Sequence, residues 1–285
     1  MNRDNRAYDA TTAEEYWSSR LTETNELAAV LSYGLPEYLN AAYSRWEIDT
    51  TLRALPALEG LRVLDLGCGI GRLTVPLARE KARVTSFDNS AAMLATCQRH
   101  VEEAGLAEFV EYHKGSAASL PFAEASFDVV ACVGVLEHLP PDIRKSAVAE
   151  MIRVLKNTGS LVLVVNNSKS RFLNREERYR MQGQQENGYF VGLIERDAIE
   201  TQICEAGFIV RPVGSNLFQG IVKHLGIAFG LLDPDSRAMA DLAAASASLD
   251  LAYPLKGDLD QALADQWVVV AERRSAEGNL RLLNR

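Results

Sequence analysis

Residues 63–71 read VLDLGCGIG, an apolar run that passes through Asp65 into three closely spaced glycines. The apolar run is typical of a buried strand, and helix-forming residues follow the glycines. A sharp strand-to-helix turn needs residues that tolerate a positive φ angle or lack a Cβ, and a ligand lying across it approaches the backbone closely. Gly67, Gly69 and Gly71 therefore predict a ligand-binding turn between a strand at 62–66 and a helix at 71–79.

The spacing of these glycines bears on the kind of ligand. The dinucleotide fingerprint GxGxxG places a pyrophosphate at the amino terminus of the helix that follows. Here the spacing is GxGxG, with the third glycine one residue early, which weakens the case for NAD. On this motif alone, a purely structural turn and a different nucleotide both stay open.

From residue 62 onward, short β-branched runs alternate with amphipathic helical stretches. This alternation is typical of an α/β fold in which a mostly parallel, Rossmann-like sheet carries helices on both faces. The predicted strands are 62–66, 83–87, 109–113, 127–133, 160–165, 208–213 and 266–272, and the predicted core helices are 71–79, 91–103, 142–155 and 195–205.

The remaining segments are predicted to elaborate this core. Residues 1–58 form a helical cover, in which Thr12 is the N-cap of the first helix and Glu15 completes its capping box. Residues 59–285 form the α/β domain. Within that domain, a polar stretch at about 166–194 predicts an inserted lid, and residues at about 214–258 predict helical insertions.

A carboxylate closes the second predicted strand. Asp88 lies seventeen residues after Gly71, at the carboxyl edge of the sheet, where ligands bind in open α/β folds. Asp88 could accept the hydroxyl protons of a ribose, with Asn89 and Met93 flanking an adenine ring. The alternatives are a helix N-cap for Asp88 and core packing for Met93.

Composition narrows the class of partner. The chain has 285 residues and a net charge of −8, so it has no broad basic surface for a phosphate backbone, and a small-molecule acceptor fits better than a nucleic acid. The four cysteines have no CxxC or metal-type spacing, which favours a reduced, cytoplasmic setting without a bound metal. The longest apolar stretch, 225–232, is far shorter than the roughly 20 residues that span a bilayer, so no membrane insertion is expected.

Residues 63–165 resemble the class I S-adenosylmethionine (SAM)-dependent methyltransferases, particularly the type 11 group of small-molecule and ubiquinone-biosynthesis enzymes. The resemblance rests on VLDLGCGIGRLTVPLA, VTSFDNSAAML, GSAASLPFAEASFDVVACVGVLEHL and LKNTGSLVLVV, in that order. It implies a seven-stranded sheet of order 3-2-1-4-5-7-6 with the last strand antiparallel. It also implies SAM as cofactor, S-adenosylhomocysteine (SAH) as product, and in-line methyl transfer to an oxygen, nitrogen or carbon atom.

The resemblance also implies roles for individual positions. Cofactor contacts are expected from Asp65, Gly67, Cys68 and Gly69 at the methionine end, Asp88 at the ribose, Ser116 and Ala117 beside the adenine, and Cys132 and Val133 beneath the ligand. The family usually has an acidic residue where Ser116 stands, so adenine recognition here lacks that charge. LKNTGS replaces the common LKPGG at a turn remote from the ligand.

A proton acceptor and a cover complete the expected site. His138 follows the fourth strand and has a side-chain type suited to a general base, although its imidazole could instead bond only to backbone, and Glu137 is a weaker candidate. Tyr8, Tyr16, Trp17 and Arg20 resemble the amino-terminal cover of such enzymes, with Arg20 meeting the methionine carboxylate. Ordinary packing explains the aromatic residues almost as well.

Three function classes follow from these residues. The leading hypothesis is a SAM-dependent methyltransferase with a small-molecule acceptor. The alternatives are an NAD-dependent oxidoreductase using the same strand-end cleft, and a SAM-binding module without catalysis. The sequence leaves the acceptor, its reacting atom and the oligomeric state open.

Overall fold

A computed structural model of the chain describes residues 10–31, 36–170, 182–184, 190–192, 194–224, 233, 236–255 and 257–273. Its strands are β1 Arg62–Leu66, β2 Arg83–Asp88, β3 Val110–Lys114, β4 Phe127–Val133, β5 Leu155–Asn166, β6 Gln182–Gln184, β7 Phe190–Gly192, β8 Phe208–Ser215 and β9 Gln266–Arg273. Its α-helices are α1 Ala10–Glu23, α2 Glu26–Val30, α3 Glu37–Arg53, α4 Thr74–Arg79, α5 Ala91–Glu103, α6 Pro141–Val154, α7 Arg196–Glu205, α8 Leu217–Ile221, α9 Arg237–Ala252 and α10 Asp258–Leu263.

Seven strands form one sheet of order β3-β2-β1-β4-β5-β9-β8. Strands β1 to β5 pair in parallel, and β9 is antiparallel to both β5 and β8. Numbered within this sheet, the order is 3-2-1-4-5-7-6, which confirms the predicted Rossmann-like fold. Strands β6 and β7 form a separate two-stranded antiparallel sheet.

The sheet is buried on both faces, as parallel sheets require. Along β1 and β4 the side chains alternate between two apolar clusters. One cluster contains Val63 and is covered by residues of α3, α4, α5 and α9. The other contains Leu64 and is covered mainly by α6 and α7. The helices thus cover the two faces and leave the carboxyl edge of the parallel strands for a ligand.

The structure departs from the predicted elements in four places. Thr12 lies inside α1, which includes Ala10, so its assignment as N-cap is wrong; the strong helix preference of alanine carries the helix further upstream. Helix α4 begins at Thr74, three residues later than predicted. Strand β5 begins at Leu155 and absorbs the turn expected before residue 160. The β6–β7 pairing was not predicted.

Three predictions of domain organisation stay predictions. Most of the predicted lid, namely 171–181, 185–189 and 193, lies outside the described residues. The boundary near residue 58 and the insertion at about 214–258 likewise stay predictions. Within the described ranges, no helix combines the length and the apolar character needed to cross a membrane.

Candidate functional site

The glycine turn after β1 has the backbone conformation that its sequence predicts. Gly67, Gly69 and Gly71 have φ angles of 72°, 52° and 85°. The amides of Gly67 and Cys68 donate to the carbonyl oxygen of Phe87 at 2.7 and 3.1 Å, which ties the turn to the end of β2. A Cβ on Gly67 would lie 2.2 Å from Cγ2 of Val135, so this position excludes side chains by space as well as by conformation.

Asp88 joins the glycine turn to the start of α5. Its Oδ2 accepts the amide of Gly69 at 2.9 Å, and its Oδ1 accepts the amide of Ser90 at 2.9 Å. Burial raises the pKa of Asp88 above its usual value, while these backbone donors oppose that shift. The helix N-cap itself is Ser90, whose hydroxyl accepts the amide of Met93. Asp88 therefore organises the turn rather than capping α5.

A cavity of about 280 Å³ lies at the carboxyl edge of β1, β2, β3 and β4. Its walls come from α1 and α2, from the glycine turn, from the ends of β2 and β3, and from the segment after β4. Ten of the predicted site residues line it, namely Gly67, Cys68, Gly69, Asp88, Asn89, Met93, Ser116, Ala117, Val133 and His138. The sequence-predicted residues thus converge on one cavity.

Two predicted residues lie beneath this cavity rather than in its wall. Asp65 is 2% exposed and accepts the hydroxyl of Thr74 at 2.6 Å. Burial raises the pKa of Asp65 to about 6, although the Thr74 bond opposes the shift. Cys132 is 1% exposed, and burial raises the pKa of its thiol. Asp65 is thus held by a hydrogen bond, and Cys132 packs in the apolar core next to the cavity-lining Val133.

Of the predicted cover residues, Arg20 and Tyr16 stand outside the cavity wall, and Tyr8 lies outside the described residues. The buried guanidinium of Arg20 donates from Nη2 to the carbonyl of Ala28 at 2.6 Å and from Nε to the carbonyl of Ala29 at 3.3 Å. It therefore holds α2 rather than facing the ligand space. Tyr16 is partly buried and makes an edge-to-face contact with Trp17. Trp17 itself lines the cavity.

His138 lies in the cavity wall between two covering elements. Its ring meets that of Trp17 edge to face, with centroids 4.9 Å apart. Its Nδ1 lies 3.3 Å from the carbonyl oxygen of Phe190 in β7, a geometry that favours a proton on Nδ1 and leaves Nε2 unprotonated. Burial lowers the pKa of His138 to about 4, so the imidazole is neutral at pH 7.

The turn that carries His138 is supported from α6. Arg144 donates from Nε to the carbonyl of Leu136 at 2.8 Å and from Nη2 to that of Leu139 at 2.9 Å. The neighbouring Glu137 is 4% exposed, and its Oε2 makes no hydrogen bond within the described part of the chain. Burial raises the pKa of Glu137 to about 7, and the negative charge of Glu47 adds to the effect.

Sequence reasoning missed several residues of the cavity wall. Glu14, Val30, Arg72 and Lys114 all line it. Lys114 ends β3, and Arg72 directly follows the glycine motif, so the rule that ligands bind at the carboxyl ends of strands could have found both. No sequence signal indicates Val30 or Glu14, because their positions depend on how α1 and α2 pack over the sheet.

Residues 63–159 match a family model described as a methyltransferase domain. Curated relatives named ubiquinone biosynthesis O-methyltransferase include one from Hahella chejuensis, 40% identical over 119 residues, covering 41% of this chain and 48% of the relative. Another, from Paracidovorax citrulli, is 32% identical over 155 residues, covering 49% of this chain and 64% of the relative. The chain thus spans less than two thirds of the length of these relatives.

Solved structures share the fold at low sequence identity. Magnesium protoporphyrin IX methyltransferase from Synechocystis PCC 6803 with bound SAH matches with a TM-score of 0.62 at 17% identity, covering 93% of this chain and all of that one. The cyclase SpnF matches with a TM-score of 0.58 at 18% identity, covering 94% of this chain and 97% of that one. These likenesses confirm the class I methyltransferase fold, and the cyclase shows that the fold alone does not fix the reaction.

Proposed function

We propose that this chain, whose residues 63–159 match a methyltransferase domain model, is a SAM-dependent methyltransferase for a small-molecule acceptor. One observation carries the proposal. The positive-φ glycine turn and the buried carboxylate of Asp88 meet in a single cavity at the carboxyl edge of the sheet. The wider chain extends beyond the matched domain, so the acceptor and the activity of the whole protein are part of the proposal.

The residues of the cavity fit an adenosyl group and its methionine chain. The glycine turn offers close backbone approach, because a side chain at Gly67 would collide with Val135. The carboxylate of Asp88 accepts the amide of Gly69 at Oδ2 and that of Ser90 at Oδ1, and its remaining acceptor capacity suits ribose hydroxyls. Met93 is buried beside the cavity, and Ser116 is exposed at its rim, where adenine recognition would occur without a charged partner.

SAM supplies a methyl group on a positively charged sulfur, which is already an excellent leaving group. The protein's main task is therefore to align the acceptor, the methyl carbon and the sulfur, and such positioning is a large catalytic term. Trp17 from α1 and Val30 from α2 line the cavity and would limit the access of water to the reacting atoms. Bound SAM would supply its methyl group to the acceptor and would leave as SAH, with the electrons of the broken carbon–sulfur bond kept on sulfur.

His138 is the candidate base for an acceptor that must lose a proton. Since the pKa of His138 is lowered to about 4, its imidazole is ready to accept a proton at pH 7 but binds it weakly. Such a weak base suits an acceptor that loses its proton readily. Activity that depends on neutral His138 would fall only as the pH drops towards 4. A His138→Gln variant with an unchanged pH profile would remove His138 from the mechanism.

Composition and cysteine chemistry support a small-molecule acceptor and a cytoplasmic location. A net charge of −8 favours a small molecule over a nucleic acid as acceptor. All four cysteines lie in described segments and are free thiols, as expected in the reducing cytoplasm.

Two measurements separate the three function classes. A thermal-shift comparison of SAH with NADH should raise the melting temperature with SAH alone; stabilisation by NADH alone would support the oxidoreductase. Purified protein is then incubated with methyl-labelled SAM and a small-molecule extract of cells. Labelled acceptor supports the methyltransferase, whereas SAH binding without labelling of any acceptor would support a non-catalytic module.

The ribose position has its own test. Asp88→Ala should weaken SAH binding by roughly 1–3 kcal/mol, because it removes the acceptor of the ribose hydroxyls and loosens the glycine turn. Titration calorimetry measures the change. Asp128→Ala is the matched control, since Asp128 stands at the opposite, amino-terminal end of β4 and bonds the amide of Arg62. Equal SAH affinities in both variants would show that the ribose lies elsewhere.

A further inference from the structure

Two arginine or lysine side chains line the cavity within the described residues, and they occupy different ends of it. Lys114 ends β3 beside Ser116 and donates to Oε1 of Glu14 at 2.6 Å, which places it on the adenine side. Arg72 directly follows the glycine turn, on the side expected for the methionine chain. Arg20, the residue expected to meet the methionine carboxylate, is bonded to α2 carbonyls instead.

The guanidinium of Arg72 is held in place from α3. Its Nη1 donates to Oε2 of Glu47 at 2.7 Å and to the hydroxyl of Ser44 at 3.2 Å. Glu47 is 1% exposed, and its other oxygen accepts Nε2 of Gln266 at 2.8 Å. Because α3 and the start of β9 fix Glu47, the orientation of Arg72 is set before any ligand arrives.

The remaining donors of Arg72 suit an anion in the cavity. Within the described part of the chain, its hydrogen bonds use Nη1 alone, and its side chain is 15% exposed. Nε and Nη2 form the planar edge with which a guanidinium binds a carboxylate through two parallel hydrogen bonds. Low exposure strengthens such a contact, because water competes less for both partners.

We propose that Arg72, braced by Glu47 and Ser44, binds the α-carboxylate of the methionine part of SAM through Nε and Nη2. This inference rests on the proposed function, because it takes SAM as the ligand of the cavity. It makes Arg72 a cofactor-orienting residue: by fixing the carboxylate end of the methionine chain, it fixes the direction in which the sulfur presents its methyl group.

The test compares SAH with its decarboxylated analogue, which keeps the adenosyl group, the sulfur and the amine. Calorimetry on the wild-type protein should show that SAH binds about 10- to 100-fold more tightly than the analogue, as expected for a charge-assisted hydrogen-bonded pair. Arg72→Met should bind SAH as weakly as the analogue and should leave the affinity for the analogue nearly unchanged. Arg72→Lys should keep a reduced preference for SAH, since it retains the charge without the planar fork.

Two controls separate this role from a general effect on the cavity. Lys114→Met should change the affinity for both ligands by the same factor and leave the preference for SAH intact. Arg72→Met leaves Glu47 buried without its partner, so the double variant Glu47→Gln with Arg72→Met is measured as well; it removes the uncompensated charge if the single variant does not fold.

The outcomes distinguish a failure of the proposed function from a failure of the carboxylate site at Arg72. Wild-type protein that does not bind SAH contradicts the proposed function. Wild-type protein that binds SAH but does not prefer it over the analogue contradicts the carboxylate site. A preference that persists in Arg72→Met, or in the double variant, assigns the carboxylate to another residue.

Discussion

Gly67 carries the tightest steric constraint in the cavity wall. Its φ of 72° strains any other residue, and an added Cβ would lie 2.2 Å from Cγ2 of Val135. Gly67→Ala should therefore cost about 1–2 kcal/mol for the left-handed backbone, and about 1–3 kcal/mol more for the collision. Denaturant unfolding measures the total.

Gly105→Ala is the matched control, because Gly105 has a φ of 70° and open space around its Cβ position. It should show the backbone cost alone. Adding Val135→Ala to Gly67→Ala should recover part of the collision cost. Equal losses for the two glycine variants would mean that the turn relaxes away from Val135.

Glu137 makes stability depend on pH. Its pKa is raised to about 7 by burial, whereas an unfolded glutamate ionises near ~4.3. Between these values the folded state binds more protons than the unfolded state, so the free energy of unfolding falls as the pH rises through this window. The full loss is on the order of 3 kcal/mol.

Glu137→Gln should remove this part of the pH dependence. The free energy of unfolding, measured by denaturant titration at pH 4.5 and pH 8, should fall less in the variant than in the wild type. Glu108→Gln, at an exposed position, should keep the wild-type difference. A Glu137 variant that loses as much stability as the wild type would show that Glu137 is ionised in the folded state.

At the scale of single residues, the sequence predicted the features that depend on residues adjacent in the chain. The glycine motif predicted a turn that needs positive φ angles or the absence of a Cβ, and all three glycines have positive φ angles. The strand-end position of Asp88 predicted a place at the ligand site, and Asp88 lines the cavity. Arg20 could not be placed in this way, since the carbonyls it binds belong to a neighbouring helix whose packing the sequence does not show. The position of Arg72 after the glycine motif could have indicated its place in the cavity, but its orientation depends on Glu47, twenty-five residues upstream.

Helix α2 illustrates how a short element depends on one tertiary contact. It has five residues, too few for a stable isolated helix, and its last residue, Val30, lines the cavity. The buried Arg20 holds its carbonyls. Arg20→Met should lower the free energy of unfolding by roughly 1.5–3 kcal/mol, the value of hydrogen bonds from a charged group.

Arg45→Met is the control for this prediction, since Arg45 is 58% exposed on α3 and makes only a surface ion pair with Asp49 among the described residues. It should change stability by less than about 0.5 kcal/mol. The preference for SAH over its decarboxylated analogue should survive in Arg20→Met. If stability held and that preference vanished, Arg20 would be the carboxylate ligand that its sequence position predicts.

Helices and strands with a clear apolar periodicity were predictable from the sequence. Short strands that form only through contacts with other segments were not. The bounds of β1, β4 and α5 agree with the sequence prediction because apolar periodicity and the flanking turn residues mark both of their ends. The β6–β7 sheet pairs segments of three residues each, too short to carry a period. Its existence depends on cross-strand hydrogen bonds and on packing against the turn that carries His138.

At the scale of the whole molecule, the cavity draws its wall from residues between Thr11 and Leu139, and its support from Gln266 near the other end of the sequence. Parallel strands bring their carboxyl ends to one edge, so residues distant in sequence become neighbours there. The α/β alternation made this edge predictable. The sequence did not predict an acceptor, because specificity in such folds depends on loops and covering elements, whose arrangement is set by tertiary packing.

A ligand in this cavity should therefore leave a defined footprint in hydrogen–deuterium exchange. Saturating SAH bridges the cover and the strand ends, so amides that exchange by local opening should slow in α1, α2, the glycine turn and residues 133–139. Helix α7 and β8, at the far edge of the sheet, should exchange locally at the same rate with and without SAH. NADH at the same concentration should leave all segments unchanged. Protection centred on α7 and β8, or protection by NADH in place of SAH, would move the cofactor out of the glycine-turn cavity.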